Sequence, residues 1–393
     1  MFAALAAAEP DEILAVMAAF RADPRADKID LGVGVYRDAA GETPVFAAIK
    51  AAETRLLDQQ PSKTYVGLLG DMGFCNALGA LTLGEAATAR SAATQAVGGS
   101  GALFVLGRLI RAANPGAVIH LPTPTWPNHR NLLGQGAGLS CAAYPYLSAD
   151  GKGVDLAGME AALDRLGPGD VVVLHASCHN PTGVDMPAEG WEMIARSAAA
   201  RGWLPFFDAA YLGFAEGPEA DAAGMRLVLD AVPEAVVAVS CSKTFGMYRD
   251  RVGAAFVMAG DASARAAAQG RLAAVNREHL SMPPDHGAAA VRIVLEDADL
   301  RASWGGELAA MRGRINGLRQ ALDAALGAEA GGARWRGFAA GRGLFATLPL
   351  DAGQIGRLRD ESGIYVVPGG RVNVAGLPDD GAARVAAALA ALG

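Results

Sequence analysis

A short apolar run that ends abruptly in two hydroxyls and a lysine constrains the fold of this chain more than any other stretch. Val236–Val239 holds small and branched apolar residues without the alternation of a half-exposed strand, which predicts a strand buried on both faces. Ser240, Ser242 and Lys243 follow at its carboxyl end. In open α/β sheets that edge binds ligands, so this lysine is placed for chemistry.

Two further apolar runs end in polar side chains in the same way. Asp170–His175 leads to Asn180, and Trp203–Phe207 leads directly to Asp208. A carboxylate at the end of a buried strand is costly without a cationic partner, and the protonated nitrogen of a pyridine ring is such a partner. Tyr211, three residues further on, can donate its phenol to another polar edge of the same ring.

Lys243 has a side-chain amine that can form an imine with a carbonyl group. The neighbouring hydroxyls can donate to a phosphate, and this combination indicates pyridoxal phosphate. Two other interpretations are the lysine of a solvated loop and the S-x-x-K nucleophile of penicillin-binding proteins and β-lactamases, which Ser240–Lys243 matches. The second interpretation also requires S-D-N and K-T-G, and the sequence contains neither.

A glycine-rich turn is the candidate phosphate site. Gly98–Gly101 opens directly into a helical pattern, and free N–H groups at a helix N-terminus bind anions. Gly99, Ser100 and Gly101 would contribute here, although a simple glycine turn is the alternative explanation. The guanidinium of Arg249 or Arg251 could bind the same phosphate bidentately. The turn lacks a Walker lysine, which argues against a nucleoside triphosphate.

Trp126 stands among three prolines after the predicted strand Val118–Leu121. A ring fixed at this edge suits a rigid stacking platform, with a core tryptophan in a loop as the alternative. We expect cis peptide bonds before Pro124 and Pro181. The second would aim Asn180 inward.

The composition excludes several classes of protein. With 393 residues, of which 52% are hydrophobic, the chain can form one large domain and a smaller one. A net charge of -7 without a basic run argues against binding to nucleic acid or anionic lipid. Residues 131–149, the longest uncharged window, are too polar for a membrane span, and we expect the first nine residues to belong to the mature protein.

The cysteines indicate a reducing compartment. They show no C-x-x-C spacing, which argues against a metal knuckle or a disulfide framework. We therefore expect no metal site and a cytoplasmic protein. The residues are Cys75, Cys141, Cys178 and Cys241.

The order of the elements predicts an α/β fold with two domains. A pattern from about Leu300 to Leu326 predicts one long helix that leads into a last domain. We expect residues 45–310 to form a large domain on a mainly parallel sheet. Residues 1–44 and 311–393 would together form the small domain.

Five motifs, taken in their order and spacing, are specific to one family. They are Gly32–Tyr36, Thr125–His129, Cys178–Gly183, Ser242–Lys243 and Gly370–Gly376. With these motifs the chain resembles, over essentially its whole length, the class I aminotransferases of fold type I, in the branch of bacterial aspartate and aromatic amino-acid aminotransferases. The resemblance implies a seven-stranded, mainly parallel sheet flanked by helices, a smaller α/β domain, and transamination that depends on pyridoxal phosphate.

The same resemblance implies roles for the candidate residues around the cofactor. Lys243 would form the covalent link and Asp208 would pair with the ring nitrogen, with His129 behind Asp208 and His175 near the same network. Tyr211 and Asn180 would contact the ring hydroxyl, and Trp126 would stack on the ring. The phosphate would be held by Gly99, Ser100, Gly101, Ser240, Ser242 and Arg251, together with Tyr65 of the partner subunit.

The resemblance also implies two carboxylate receptors. Arg371 would bind the substrate's α-carboxylate, aided by Asn180 and the backbone at Gly34. Arg277 of the partner subunit would meet a distal carboxylate, so the active site requires a homodimer. Aromatic substrates would displace this arginine and pack against Trp126.

Substrate preference is where the chain departs from the family pattern. His279 and Leu280 replace the usual Asn-Tyr after Arg277 and make the rim of the site more apolar. We expect both aspartate or glutamate and phenylalanine or tyrosine as donors, with 2-oxoglutarate as acceptor. The alternative function is that of a pyridoxal-phosphate-dependent lyase or decarboxylase on the same fold. Two carboxylate receptors suit a keto-acid acceptor such as 2-oxoglutarate, and they therefore favour transamination over this alternative.

Overall fold

The computed structural model describes Phe2 and residues 12–392, and the chain divides into two compact units. The first unit comprises the residues up to Thr43, Pro181–Gly183 and the chain from Arg314 onward. The second comprises Pro44–Asn180 and Val184–Gly313. The large domain expected from the sequence, residues 45–310, includes Pro181–Gly183, whereas their contacts assign them to the first unit. The first nine residues lie outside the described residues, apart from Phe2.

The strands are short and mostly buried. In chain order they are β1 (Ile29–Asp30), β2 (Ser91–Val97), β3 (Val118–Thr123), β4 (Ser140–Pro145), β5 (Asp170–His175), β6 (Leu204–Ala209), β7 (Ala235–Ser240), β8 (Val252–Met258), β9 (Phe345–Thr347), β10 (Ile364–Tyr365) and β11 (Arg371–Asn373).

The helices alternate with these strands through most of the chain. They are α1 (Glu12–Ala22), α2 (Ala47–Gln59), α3 (Met72–Thr82), α4 (Glu85–Ala89), α5 (Gly98–Ala113), α6 (Leu156–Leu163), α7 (Ala188–Arg201), α8 (Pro218–Ala231), α9 (Cys241–Thr244), α10 (Ala262–His279), α11 (Asp285–Glu296), α12 (Ala298–Ala328), α13 (Ala352–Ser362) and α14 (Gly381–Ala390). A π-helical segment occupies Arg130–Gly136. Within the described residues, every helix is too short or too polar to cross a bilayer.

Seven strands form the sheet of the second unit, in the order β2-β8-β7-β6-β5-β3-β4. All neighbours are parallel except β8, which runs antiparallel to both β2 and β7. Every residue of β7 and β8 is buried. For β7 the continuous apolar sequence predicted this burial. The predicted α/β architecture with a mainly parallel seven-stranded sheet is confirmed.

Helix α5 covers part of this sheet and contributes to its core. It packs against β2, β7 and β8 and buries Leu103, Leu106 and Ile110. Gly98–Gly101, which the sequence analysis took as a turn before the helix, form its first turn. The free N–H groups of this helix therefore begin at Gly98, directly after the end of β2.

The structure adds one strand that the sequence did not indicate and corrects one local prediction. The uncharged window 131–149 contains β4, which the sequence analysis did not recognise as a strand. The peptide bond before Pro124 is cis as expected, but the bond before Pro181 is not among the cis bonds of the described residues. The second prediction was wrong, since a trans bond is the usual state before proline and no local pattern overrides it here.

The first unit has its own core between two small sheets. Strand β1 pairs in parallel with β10, and β11 pairs antiparallel with β9. The last part of α12 packs into this core through Leu318, Leu322 and Leu326. From the same helix the buried guanidinium of Arg319 donates to the carbonyl oxygens of Phe338, Arg342, Gly343 and Phe345. Arg319 thus satisfies the backbone that leads into β9.

Candidate active site

The carboxyl ends of β5, β6 and β7 lie side by side, because the three strands are parallel neighbours. Asp208 of β6 pairs in register with His175 of β5 and Ala238 of β7. Ser240 ends β7, and Lys243 follows in the single turn of α9. The sheet therefore brings the predicted carboxylate and the predicted lysine to one edge, the edge where open α/β sheets bind ligands.

A chain of hydrogen bonds leads from Asp208 into the protein. His129 Nε2 lies 3.0 Å from Asp208 Oδ2, and His129 Nδ1 lies 2.8 Å from Thr125 Oγ1. Thr125 Oγ1 lies 3.2 Å from His175 Nε2. An ionised carboxylate only accepts, so His129 Nε2 carries the proton and donates it to Asp208. In a neutral His129, Nδ1 then accepts from the Thr125 hydroxyl, which in turn accepts from His175.

The hydrogen bonds and charges around Asp208 keep its carboxylate ionised. Burial alone raises the pKa of Asp208, but the hydrogen bond from His129 and the nearby positive charge lower it more, so its pKa lies below the usual value. Burial lowers the pKa of His175 to about 3, and burial also holds the pKa of His179 well below its usual value. His175 and His179 are therefore neutral, and the buried site retains a negative charge at Asp208.

Tyr211 lies beside Lys243, and Asn180 contacts Tyr211. The Lys243 Nζ atom lies 4.9 Å from the centroid of the Tyr211 ring, and Asn180 Nδ2 donates to the Tyr211 hydroxyl at 3.4 Å. The Oδ1 atom of Asn180 is buried without a hydrogen-bond partner in the described chain. Such an atom is costly unless a ligand satisfies it. The site therefore has hydrogen-bonding capacity for a polar ring substituent.

The predicted phosphate residues also come together. Arg251 Nη1 donates to Ser242 Oγ at 3.2 Å and to the Tyr248 carbonyl at 3.0 Å. Arg251 adopts φ 56°, a left-handed conformation that costs about 1 kcal/mol or more in a residue with a side chain. A Cβ at Gly98 would come within 2.6 Å of Arg251 Nη2, and one at Gly99 within 2.9 Å of Ser240 Cβ. The first turn of α5 thus lies directly against Arg251 and the end of β7.

Glycine is required where α5 meets this site. Gly98 has φ 68°, which a residue with a side chain rarely adopts, and the approach of Arg251 leaves no room for one. Ser100 and Gly101 continue the first helical turn. A positive guanidinium, serine hydroxyls and free N–H groups at a helix N-terminus form a donor set suited to a phosphate.

Trp126 contacts His129, which belongs to the series of hydrogen bonds that starts at Asp208. Its ring lies edge-on to the His129 ring, with centroids 5.4 Å apart, and the residue is half-buried. The indole also packs against the hydrophobic core of the large sheet.

Gly34 and Arg371 both belong to the first unit. Arg371 is buried, donates from Nη2 to the Gly32 carbonyl at 2.9 Å, and stacks over the Phe345 ring at 4.5 Å. A Cβ at Gly34 would come within 2.9 Å of Phe345 Cζ, so the loop at Gly34 packs directly on the same ring. The two predicted substrate residues thus share one aromatic neighbour.

Tyr65 and Arg277 lie on the surface of the chain. Tyr65 is 88% exposed, and the exposed Arg277 donates from Nη1 to Ser281 Oγ at 2.7 Å. The ring of His279 packs against the Phe104 ring of the same subunit, with centroids 4.8 Å apart. Both Tyr65 and Arg277 are accessible to a second molecule.

Two residues that support the site had no role assigned from the sequence. Thr125 stands four residues before His129, and this spacing, which places both on one face of a turn, could have indicated their contact. Asp185 accepts from the backbone N–H groups of Cys178 and His179 at 2.8 and 2.7 Å, and Cys178 has φ 52°. Asp185 holds the loop before Asn180, and no local pattern marks it in the sequence.

Comparison with known proteins identifies the family. The model of aminotransferase class I and II matches residues 26–389. The chain is 45% identical over 372 residues to the aromatic-amino-acid aminotransferase of Paracoccus denitrificans, covering 94% of each chain. It is 38% identical over 396 residues to the aspartate aminotransferase of Salmonella typhi, covering 100% of each.

The solved structures agree with this result. The aromatic-amino-acid aminotransferase of Burkholderia pseudomallei, covalently bound to pyridoxal phosphate, superposes with a TM-score of 0.95 at 40% identity, over 100% of this chain and 99% of that one. The chain therefore belongs to the class I and II aminotransferases. It is an enzyme of fold type I that catalyses transamination with pyridoxal phosphate, and the relatives favour this activity over the lyase or decarboxylase alternative.

The low pKa of His175 predicts a pH-dependent stability. An unfolded histidine takes up a proton near pH 6.5, whereas folded His175 stays neutral down to about pH 3. Its contribution to the free energy of unfolding is fully present above pH 6.5 and is lost as the pH falls. Between pH 7.5 and 5 the destabilisation caused by His175→Asn should shrink by about 2 kcal/mol. Urea denaturation of the wild type and of His175→Asn at both pH values measures this change in the free energy of unfolding.

His286→Asn is the control, because His286 lies exposed on α11. Its effect on the free energy of unfolding should stay constant over the same range. If the effect of His175→Asn also stays constant, His175 takes up its proton equally in the folded and unfolded states.

Proposed function

We propose that this enzyme transfers amino groups between 2-oxoglutarate and either an aromatic amino acid or aspartate, and that it acts as a homodimer. The observation that carries the catalytic part is the buried, ionised Asp208 beside the strand that leads to Lys243. The names of the relatives, which include both aromatic-amino-acid and aspartate aminotransferases, support the choice of substrates.

The donor set suggests how the cofactor is held. Asp208 would face the ring nitrogen, because a buried carboxylate with a low pKa stabilises a positive charge next to it. Asn180 and Tyr211 would contact the ring hydroxyl, and Trp126 would stack on the ring. The phosphate would be bound by Gly99, Ser100, Gly101, Ser240, Ser242 and Arg251.

The cofactor, when bound, withdraws electrons from the substrate carbon that loses its proton. Lys243 would act as the general base and acid, because its Nζ atom can take the proton from the α-carbon and return it elsewhere. Such proton transfer is worth roughly a hundred- to ten-thousand-fold in rate. His129 would hold Asp208 in place, and Thr125 would fix which nitrogen of His129 carries the proton.

Two arginines would bind the carboxylates of the substrate. Arg371, with the backbone at Gly34 and the side chain of Asn180, would bind the α-carboxylate. A guanidinium matches a carboxylate in a bidentate pair, and Arg371 is buried, where such a pair is strongest. Arg277 of the partner subunit would bind a distal carboxylate and move away for an aromatic side chain, which would pack near Trp126 and Leu280.

The surface of the chain supports the homodimer. Tyr65 and two apolar residues that follow it in the chain are exposed, and exposed apolar side chains are typical of interaction sites when they lie together. These neighbours are Val66 at 46% and Leu68 at 38% exposure. A second copy covering them would bring its Tyr65 to the phosphate and its Arg277 to the substrate. We also propose the cytoplasm as the compartment, on the cysteine pattern described above.

Replacing Lys243 by alanine tests the catalytic proposal. Lys243→Ala should reduce turnover at least a thousandfold, because the variant lacks the general base and the amine that binds the cofactor covalently. Borohydride treatment should attach the cofactor to the wild-type protein and leave Lys243→Ala unlabelled, as mass spectrometry would show. Lys50→Ala, an exposed lysine of α2, should behave as wild type. A fully active, labelled Lys243→Ala would refute the assignment.

Replacing Arg277 by leucine tests the substrate proposal. Arg277→Leu should lower kcat/KM for aspartate by about a hundredfold, since a distal carboxylate would lose a charged partner. For phenylalanine, kcat/KM should change less than threefold. Arg271→Leu, on the exposed face of the same helix, is the matched control. Equal losses for both substrates would mean that Arg277 maintains the fold or the dimer instead.

Mixing the two variants tests whether subunits share their active sites. In a dimer of one Lys243→Ala chain and one Arg277→Leu chain, one site has both substitutions and the other has neither. Unfolding and refolding the mixture should therefore restore aspartate turnover, to about a quarter of the wild-type value when half of the dimers are mixed. If Arg277 served its own subunit, the mixture would regain nothing.

A further inference from the structure

The loop that carries Gly34 forms a tight turn within the first unit. The Val35 N–H donates to the Val33 carbonyl at 3.0 Å, which closes a three-residue turn centred on Gly34. Asp30 Oδ1 accepts from the N–H groups of Gly32 and Val33 at 2.9 and 3.3 Å and so fixes the start of the loop. The centre of the loop is held by a different residue.

Asn373 holds this centre from β11. Its side chain is fully buried, and Nδ2 donates to the carbonyl oxygens of Val33 and Val35 at 2.6 and 2.7 Å. Its Oδ1 accepts from the Ala375 N–H at 3.1 Å. Both hydrogens of the amide are therefore used on the two carbonyls that flank Gly34, and the amide can rotate in neither direction without losing a bond.

Because the peptide group is planar, the hydrogen bond from Asn373 to the Val33 carbonyl also determines where the Gly34 N–H points. In a trans peptide the C=O and the following N–H point to opposite sides, and the Val33–Gly34 bond is not among the cis bonds. With the Val33 carbonyl turned toward Asn373, the Gly34 N–H must point away from Asn373. Asn373 thus sets the direction of a backbone donor that it does not touch.

The same short strand carries the substrate arginine. Arg371 and Asn373 are two residues apart on β11, so their side chains leave the same face. Arg371 donates to the Gly32 carbonyl, and Asn373 donates to two carbonyls further along the loop. The Phe345 ring contacts both Arg371 and Gly34. The guanidinium and the Gly34 N–H are therefore fixed relative to each other.

We propose that Asn373 is a positioning residue that aligns the Gly34 N–H with the Arg371 guanidinium, so that the two bind the substrate's α-carboxylate as one preformed receptor. This inference rests on the proposed roles of Arg371 and Gly34. It predicts that loss of the Asn373 amide weakens the binding of every substrate equally, because all substrates share the α-carboxylate.

Asn373→Ser in the cofactor-loaded enzyme tests the proposal. The hydroxyl can still accept from Ala375 N–H but cannot bridge both carbonyls. The KM for aspartate and for phenylalanine should rise by the same factor, about tenfold, with kcat changed less than threefold. The Kd of 3-phenylpropionate, which has a carboxylate and no amino group to transfer, should rise about tenfold as well. Amide hydrogen exchange at Gly34 and Val35 should accelerate.

Asp323→Ser is the matched control. Asp323 is buried in the same unit, and its carboxylate accepts from the Gly337 N–H at 2.7 Å and from Arg336. It holds a loop that carries no proposed site residue. The variant should lose stability to a similar extent while KM, Kd and the exchange at Gly34 stay at wild-type values. If Asn373→Ser changes only stability, as this control does, the proposal is overturned.

Two further variants keep the test decisive. Should Asn373→Ser fail to fold, Asn373→Asp keeps the shape of the side chain and removes the donors, and it should give the same rise in Kd. Arg371→Lys separates the inference from the proposed function. If Arg371→Lys leaves the Kd of 3-phenylpropionate unchanged, the receptor assignment is wrong. If Arg371→Lys weakens binding and neither Asn373 variant does, only the role of Asn373 is wrong.

Discussion

The site depends on one buried negative charge, that of Asp208. A carboxylate in this position would normally take up a proton, and it stays ionised because His129 donates to it and the surrounding charge is favourable. His175 and His179 are neutral, so they do not compete for the charge, and His175 continues the chain of hydrogen bonds through Thr125. A cationic ring nitrogen would complete this arrangement, which explains why a carboxylate is placed on the strand beside Lys243.

The first unit carries the residues that we propose for binding the α-carboxylate, a group common to all substrates. Its arginine, Arg371, donates to the Gly32 carbonyl and stacks over the Phe345 ring. Asn373 fixes the loop at Gly34 through two further carbonyl oxygens, so the guanidinium and the backbone donor are held by the same short strand.

The sequence predicted the strands whose residues form continuous runs of apolar side chains. The continuous apolar runs of β5, β6 and β7 identified them as strands, and the polar residue after each run located the edge of the site. Strand β2, with its small and polar residues, and β4, in an uncharged window, carried no such pattern and were missed. Both are recognised as strands only through their pairing with β8 and β3.

By itself, the sequence determined the chemical groups of the site and their order along the chain, because a motif such as Ser242–Lys243 fixes residue types and spacing. The tertiary structure decided which atoms face each other. The bond from His129 to Asp208 spans 79 residues, and the bonds from Asn373 to the loop at Gly34 span about 340. Hydrogen bonds depend on distances of tenths of an ångström and on the direction of the donor, and no local pattern encodes either over such separations.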